Sequence, residues 1–431
     1  MTLPLATPLS APSPRPFRVP EPSRALMWAL GFVNRWCLLR AYFRVEQLDL
    51  PRADRERLKM AVNDDTAAFI APNHPEFGLD WMIDKELSTI VAPRVASWAA
   101  HEIVRSAPKF WSRNNLVANN GGDAAAEYSV RWALDGHGVL MHPEGMVHWT
   151  ANTVHPLFNG LAELAMEAAR RAAAEQNGRR VFVVPIVWKL RYTEDVSDAL
   201  QADMARIERE LGLASGENQT LAERFYALQE NLLARQMMQF GFDAGSVCAL
   251  DFFARQEVFR GWLVSDLQSR HAVEPADSIE RTIHRIRRAV EEKQRAGKNA
   301  RDAHLMVDAQ KAREAERLGG FSRASYATPS LSQEQIAESL KRIRAALMRR
   351  GIRNILQNYL PLAYGRRVAH VRVPEPIVVN GMRASGDAEE RERYAQDITE
   401  QTRGRMQLKL DAINREIEGM VGMFSHPNPF R

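Results

Sequence analysis

The sequence predicts an α/β fold: a mixed central sheet flanked by helices, with a long helical insertion before the last strand. Three observations carry this. Between Val45 and Tyr192 short apolar runs alternate with longer amphipathic ones, as in α/β domains. From about Thr193 to Leu362 the strand patterns give way to long charged helices. Strand character then returns in "RVAHVRVPEPIVVN" (367–380), ahead of an amphipathic stretch over about 387–418. A strand this late rejoins the first sheet, which makes the helical block an insertion and not a separate C-terminal domain.

The elements follow in order. Residues 1–22 are rich in Pro, Ser and Arg, lack the apolar stretch of a secretory signal, and are expected to be disordered. Residues 23–44 contain "RALMWALGFVNRWCLLRAYF", an apolar helix interrupted by Asn34, Arg35 and Arg40. It falls short of the roughly 20 uninterrupted apolar residues that a span needs. With Trp28, Trp36, Tyr42 and several basic residues it suits a helix lying in a membrane interface, or one packed on the core. The α/β domain is assigned to 45–192 and 365–420, and the insertion to 193–362. Within the domain "AAFIAP" (67–72), "GVLMHP" (138–143) and "VFVVPIVW" (181–188) read as buried strands, and 156–175 reads as a helix. Pro185 cannot donate to a ladder, so it is expected at a strand end or bulge. In the insertion, Ser332 and Gln335 form a capping box, Ile336, Leu340, Ile343 and Leu347 line one helix face, and Gly351 follows as a stop. Residues 281–301 hold eight Lys/Arg against Glu291 and Glu292, which reads as a solvated helix face.

The chain of 431 residues is 45% hydrophobic and 26% charged, with mean hydropathy −0.36, as in an ordinary globular protein. A pI near 9.3 favours an anionic partner, among them a membrane surface. Two cysteines far apart, Cys37 and Cys248, fit neither a disulfide framework nor a structural zinc site, so a reducing, cytoplasmic setting is expected. Nucleic acid is not an expected partner, because the basic stretches lack interleaved aromatics or a recognised module.

Chemistry concentrates in two segments. In "FIAPNHPEFGLDW" (69–81), the residue before a proline is pushed out of helical geometry, so His74 is expected at an extended strand end. Pro75 and Glu76 would then open a helix. Asp80 lies about 600° further round a continuous helix, so it meets His74 only if the segment opens at Gly78; Asp84 is the fallback partner. In "VLMHPEGMVHW" (139–149), Glu144 and Gly145 occupy a turn after another strand, at the same sheet edge as His74.

Asn73-His74 with a nearby Asp, then His142-Pro143-Glu144-Gly145, then "PLFNGLAELA", then "VVPIVW", resembles the glycerolipid (lysophosphatidate-type) acyltransferase superfamily. The resemblance covers roughly 45–192 and 365–420. It implies acyl transfer from acyl-CoA or acyl-carrier protein to a hydroxyl of a lipid or lipid precursor, with His74 as general base and Asp80 orienting it. Asn73, Glu144, Gly145 and Pro185 are implied to meet substrate. No cofactor and no metal are implied, and the protein is expected as a peripheral or monotopic one at the cytoplasmic face of a membrane. Oxyanion-stabilising amides are expected near Pro75–Phe77. The chain departs from the family in three places. The spacing is His-x5-Asp where the family has His-x4-Asp, Met146 and Val147 follow Gly145, and Asn119 and Asn120 stand where an arginine is usual. The missing arginines leave the acceptor's headgroup open. Two other readings remain: a membrane-binding protein that keeps the fold without a working dyad, and a metal-dependent hydrolase using His142, His148 and His155 with Glu144 or Asp80.

Overall fold

A computed structural model describes residues 17–431 apart from 92–93, 121, 149, 176–177, 215, 217–218, 297–301, 327, 349–350, 360 and 362. Most of the expected disordered segment, residues 1–16, lies outside the described residues. The strands are β1 (Val45–Asp49), β2 (Thr66–Pro72), β3 (Val95–Ala99), β4 (Leu116–Ala118), β5 (Gly138–Leu140), β6 (Arg180–Tyr192), β7 (Ser330–Ser332), β8 (Arg367–Arg372), β9 (Ile377–Val378) and β10 (Ser425–Pro427). The central sheet runs β1-β8-β6-β2-β5-β3-β4, with β9 also on β6. Pairs from β6 through β4 are parallel, whereas β8 and β9 lie antiparallel to β6. The sheet is therefore mixed, and the late strands do rejoin it.

β2 is apolar throughout because both of its faces are covered. Ala68 and Ile70 pack with Phe43, Leu58, Leu79 and Ile83 on one side. Ala67, Phe69 and Ala71 pack on the other against the Gly160–Ala174 helix and the start of the Ala388–Gly422 helix. Pro185 corrects the sequence expectation. It sits in the middle of β6 opposite Ala71, with no break in the parallel register. On the far side of β6, β9 pairs at Phe182–Val183 and β8 only from Val187 onward. Pro185 falls in the gap between those two partners, where a missing N–H interrupts no ladder.

The N-terminal helix is α1 (Arg24–Val33), continued by a wider π-helical stretch, Asn34–Tyr42. It packs on the core and still leaves Trp28, Phe32 and Trp36 exposed on one side. α2 (Arg52–Ala61) and α3 (Leu79–Ser88) follow. The insertion holds seven α-helices among the described residues, from Ser197–Leu211 to Ile352–Tyr359, around its own core of Phe225, Phe259, Leu263 and Ile343. The Ser332–Gln335 capping box is present, but the helix it opens ends at Leu347, before Gly351. Arg281, Arg287 and Arg288 pair with acidic neighbours, as a solvated face predicts. β10 pairs antiparallel with β7, so the segment after the Ala388–Gly422 helix packs on the insertion.

Candidate functional site

His74 and His142 each lie two residues beyond the end of adjacent parallel strands, β2 ending at Pro72 and β5 at Leu140. That is the sheet edge where open α/β sheets gather ligand-binding residues. The shared position brings the two imidazoles face to face, with ring centroids 4.0 Å apart and planes 13° from parallel. The main chain holds the arrangement. His148 N–H donates to the His74 carbonyl at 3.2 Å, and Gly145 N–H donates to the His142 carbonyl at 3.1 Å.

The helix after His74 begins at Leu79 and not at Pro75, which corrects the expected oxyanion site at Pro75–Phe77. Glu76 is drawn into the interior by Lys341 at 2.7 Å and Arg367 at 3.3 Å, which leaves 73–78 as a turn. Gly78 ends that turn with φ +82°, a conformation that costs glycine little. This freedom lets Asp80 face back, placing its Oδ2 2.5 Å from His74 Nδ1 despite the extra residue in the spacing. Asp84, one helical turn on, lies on the same face and reaches His142 Nε2 at 3.0 Å. Asp80 thus lies against His74 and Asp84 against His142.

The protonation of the two rings follows from their neighbours. His142 Nδ1 faces the Asn73 carbonyl at 3.2 Å and Nε2 faces the Asp84 carboxylate, so both nitrogens meet acceptors. The carboxylates around it favour the charged form of His142. Burial opposes that charge, but Asp84 outweighs it and lifts the ring to about 9. His74 is pushed the other way, below its ordinary value, by burial and by the charge on His142 against the pull of Asp80. Burial would raise Asp80, but His74 and His142 hold it below the usual carboxylate range. The site thus keeps a neutral imidazole beside a charged one. His74 retains 16% side-chain exposure, so its ring has an outlet from the cluster.

Glu144 belongs to the same cluster, close enough to act on His142. The main-chain amides of His74 and His155 face its carboxyl, and burial lifts it to about 8. Gly145 has φ +73°, and a Cβ there would come within 2.8 Å of the Phe158 ring, so only glycine fits. Asn73 plays another part than expected. Its Oδ1 accepts from Trp188 N–H and its Nδ2 donates to Trp188 O, both at 2.9 Å, so the amide clamps β2 to β6 and is not free for substrate. Pro185, buried inside β6, likewise serves the sheet.

His148 and His155 stack at 3.6 Å behind Glu144, with His148 Nε2 3.9 Å from Glu144 Oε2. Burial lowers His148 well below the ordinary value and brings His155 to about 4. Among the described residues, His74, Asp80 and His142 could hold a metal, since one ligand atom of each lies within 4.8 Å of the others.

Sequence reasoning missed the buried charges that the insertion brings. In the Gln333–Leu347 helix, Glu334 accepts from Tyr192 N–H at 2.8 Å, Glu338 from Ala151 N–H at 3.3 Å, and Lys341 bonds Glu76. These positions form a stripe of spacing four and three, opposite to the apolar face, and such a stripe ordinarily marks solvated ion pairs. Compared with known proteins, the chain matches no family model and no curated protein.

Proposed function

We propose that the protein is an acyltransferase of the glycerolipid type, moving an acyl group from a thioester, acyl-CoA or acyl-carrier protein, to a lipid hydroxyl. The observation that carries the reading is the His74–Asp80 pair at the sheet edge, with His74 held neutral. His74 takes the hydroxyl proton as the oxygen attacks the thioester carbonyl, and an anionic tetrahedral intermediate forms. Collapse breaks the C–S bond, and the departing thiolate takes the proton from His74. Asp80 holds Nδ1, fixes the tautomer and stabilises the transient imidazolium. His142, already charged, disfavours a resting proton on His74. The residues around His74 include no cysteine or serine nucleophile within the turn 73–78, consistent with direct transfer.

A membrane surface is the proposed setting. Trp28, Phe32 and Trp36 are 77%, 59% and 48% exposed at spacing four, an apolar ridge beside Arg24 and Arg40. The opposite side of that helix packs on α3, where Asn34 donates to the Met82 carbonyl and Arg35 pairs with Glu86. α3 carries Asp80 and Asp84, so a ridge lying on lipid keeps the dyad close to lipid-soluble substrates. No helix among the described residues is long and apolar enough to cross a membrane.

The test is thiol release from acyl-CoA in the presence of lipid vesicles, comparing wild type with His74→Ala. Equal release by both removes the proposed base. A metal-dependent hydrolase is the second reading, favoured by the proximity of His74, Asp80 and His142. It must free at least one His142 nitrogen from Asn73 or Asp84, and stoichiometric bound zinc or manganese in purified protein would establish it.

A further inference from the structure

The Gln333–Leu347 helix carries five charged side chains toward the interior or its rim, and four have partners, Glu334 among them through Tyr192 N–H. Glu338 accepts from Ala151, Lys341 bonds Glu76, and Arg344 pairs with Asp203. Arg342 differs. It is 4% exposed and lies over the Phe321 ring at 4.8 Å. Its Nε and Nη1 have no hydrogen-bond partner among the described residues, and Nη2 reaches only Ser339 Oγ, at 3.5 Å. A buried guanidinium cannot be neutralised at physiological pH, so unmet N–H groups on it are among the costliest a fold can keep.

The surroundings repeat the pattern. Neither Nε2 of the stacked His148 and His155 makes a hydrogen bond, although that of His148 lies 3.9 Å from Glu144 Oε2, and Arg403 has an unmet Nε. The charge of Arg342 acts on both rings, and that of Arg403 on His155 and Glu144. Gly320 lets the elements approach closely, since a Cβ there would sit 3.1 Å from both Arg342 Nη1 and the His148 carbonyl. Arg342, His148 and His155 thus gather near Glu144, whose carboxyl lies 3.9 Å from His148 Nε2.

We propose that Arg342, with His148 and His155, forms a binding pocket for an oxyanion, a phosphate or carboxylate group of one of the two substrates. A planar guanidinium matches such groups, and its donors are prepaid by burial, so an anion entering here meets fixed N–H groups rather than mobile ones. The identity of the anion as part of a substrate rests on the acyl-transfer reading; the pocket itself does not. Two sources share this chemistry: an anionic group on the acyl acceptor, and the phosphodiester of the thioester carrier.

The experiment uses the full chain and inorganic phosphate as the probe, followed by thermal unfolding, for wild type and Arg342→Met. Phosphate is expected to raise the wild-type Tm and to have no effect on Arg342→Met. In phosphate-free buffer the variant should be at least as stable as wild type, because removing an unpaired buried charge relieves its desolvation. A structural arginine gives the opposite, a loss of stability independent of phosphate. Equal protection of both proteins, or protection of neither, overturns the pocket. Should Arg342→Met not fold, Arg342→Lys decides: protection at about tenfold higher phosphate supports the pocket, and unchanged protection overturns it. His74→Ala should be protected like wild type. Phosphate protection in a protein with no acyl transfer sinks the transferase reading alone. Acyl transfer with both KM values unchanged in Arg342→Met sinks the pocket alone. A tenfold rise in acceptor KM assigns the anion to the acceptor, and a rise in donor KM assigns it to the carrier.

Discussion

His74 and His142 stack at 4.0 Å, each with its own aspartate one helical turn from the other's, Asp80 for the first and Asp84 for the second. Two chemically identical dyads thus hold different charge. His142 has acceptors on both nitrogens, whereas His74 has one carboxylate and an edge toward solvent.

Removing the base should be the most damaging change. His74→Ala is expected to lower thioester-dependent acyl transfer by about 10²–10⁴, the range of a positioned general base, with an unchanged far-UV circular dichroism spectrum. Wild-type turnover in that variant refutes the assignment.

The two aspartates should separate kinetically. Asp80→Asn leaves the His74 tautomer unsupported and should reduce kcat by up to ~10⁴, the scale of a lost orienting carboxylate. Asp84→Asn acts one ring further back, by loosening His142, and should cost less. Equal losses in side-by-side kcat measurements would count against separate dyads.

Acid should destabilise the protein through its buried histidines. His155 has a folded value of about 4 against 6.5 unfolded. Between those values the unfolded chain binds the proton and the folded chain does not, so stability falls as pH drops from 6.5 toward 4. Urea unfolding at a series of pH values should show the His155→Gln variant losing about 1.4 kcal/mol less per pH unit than wild type across that window. Parallel slopes for the two proteins would show that His155 does not titrate on unfolding.

Glu76 ties the turn after His74 to the insertion. Burial disfavours its charge, but Lys341 and Arg367 hold its carboxyl below the usual range. Glu76→Gln leaves two buried cations without a carboxylate and should lower stability by ~3–5 kcal/mol in urea titrations. A loss under about 1 kcal/mol would mean that solvent reaches the cluster.

Vesicle binding should depend on the exposed ridge. Replacing Trp28, Phe32 and Trp36 with serine is expected to release the protein from anionic vesicles in flotation assays while the soluble fold persists. Undiminished flotation would place the membrane contact elsewhere.

Much of this architecture is legible in the chain, because backbone periodicity and turn chemistry are local. The apolar run at 67–72 had to be a strand buried on both faces, and Ser332 with Gln335 had to cap a helix. Gly78 announced the freedom that brings Asp80 back to His74. The rest depends on approach through space. Pro185 sits mid-strand only because β6 changes partner there, and Asn73 is consumed by Trp188, which is 115 residues away. Whether Glu334, Glu338, Lys341 and Arg342 face water or a neighbouring domain leaves no mark on spacing, since a helix repeats its charges identically in either case. Sequence determined the strands, the caps and the histidines at the sheet edge; only packing decided which charges were stripped of water and which charged neighbours they met, and those two together set the protonation of the site.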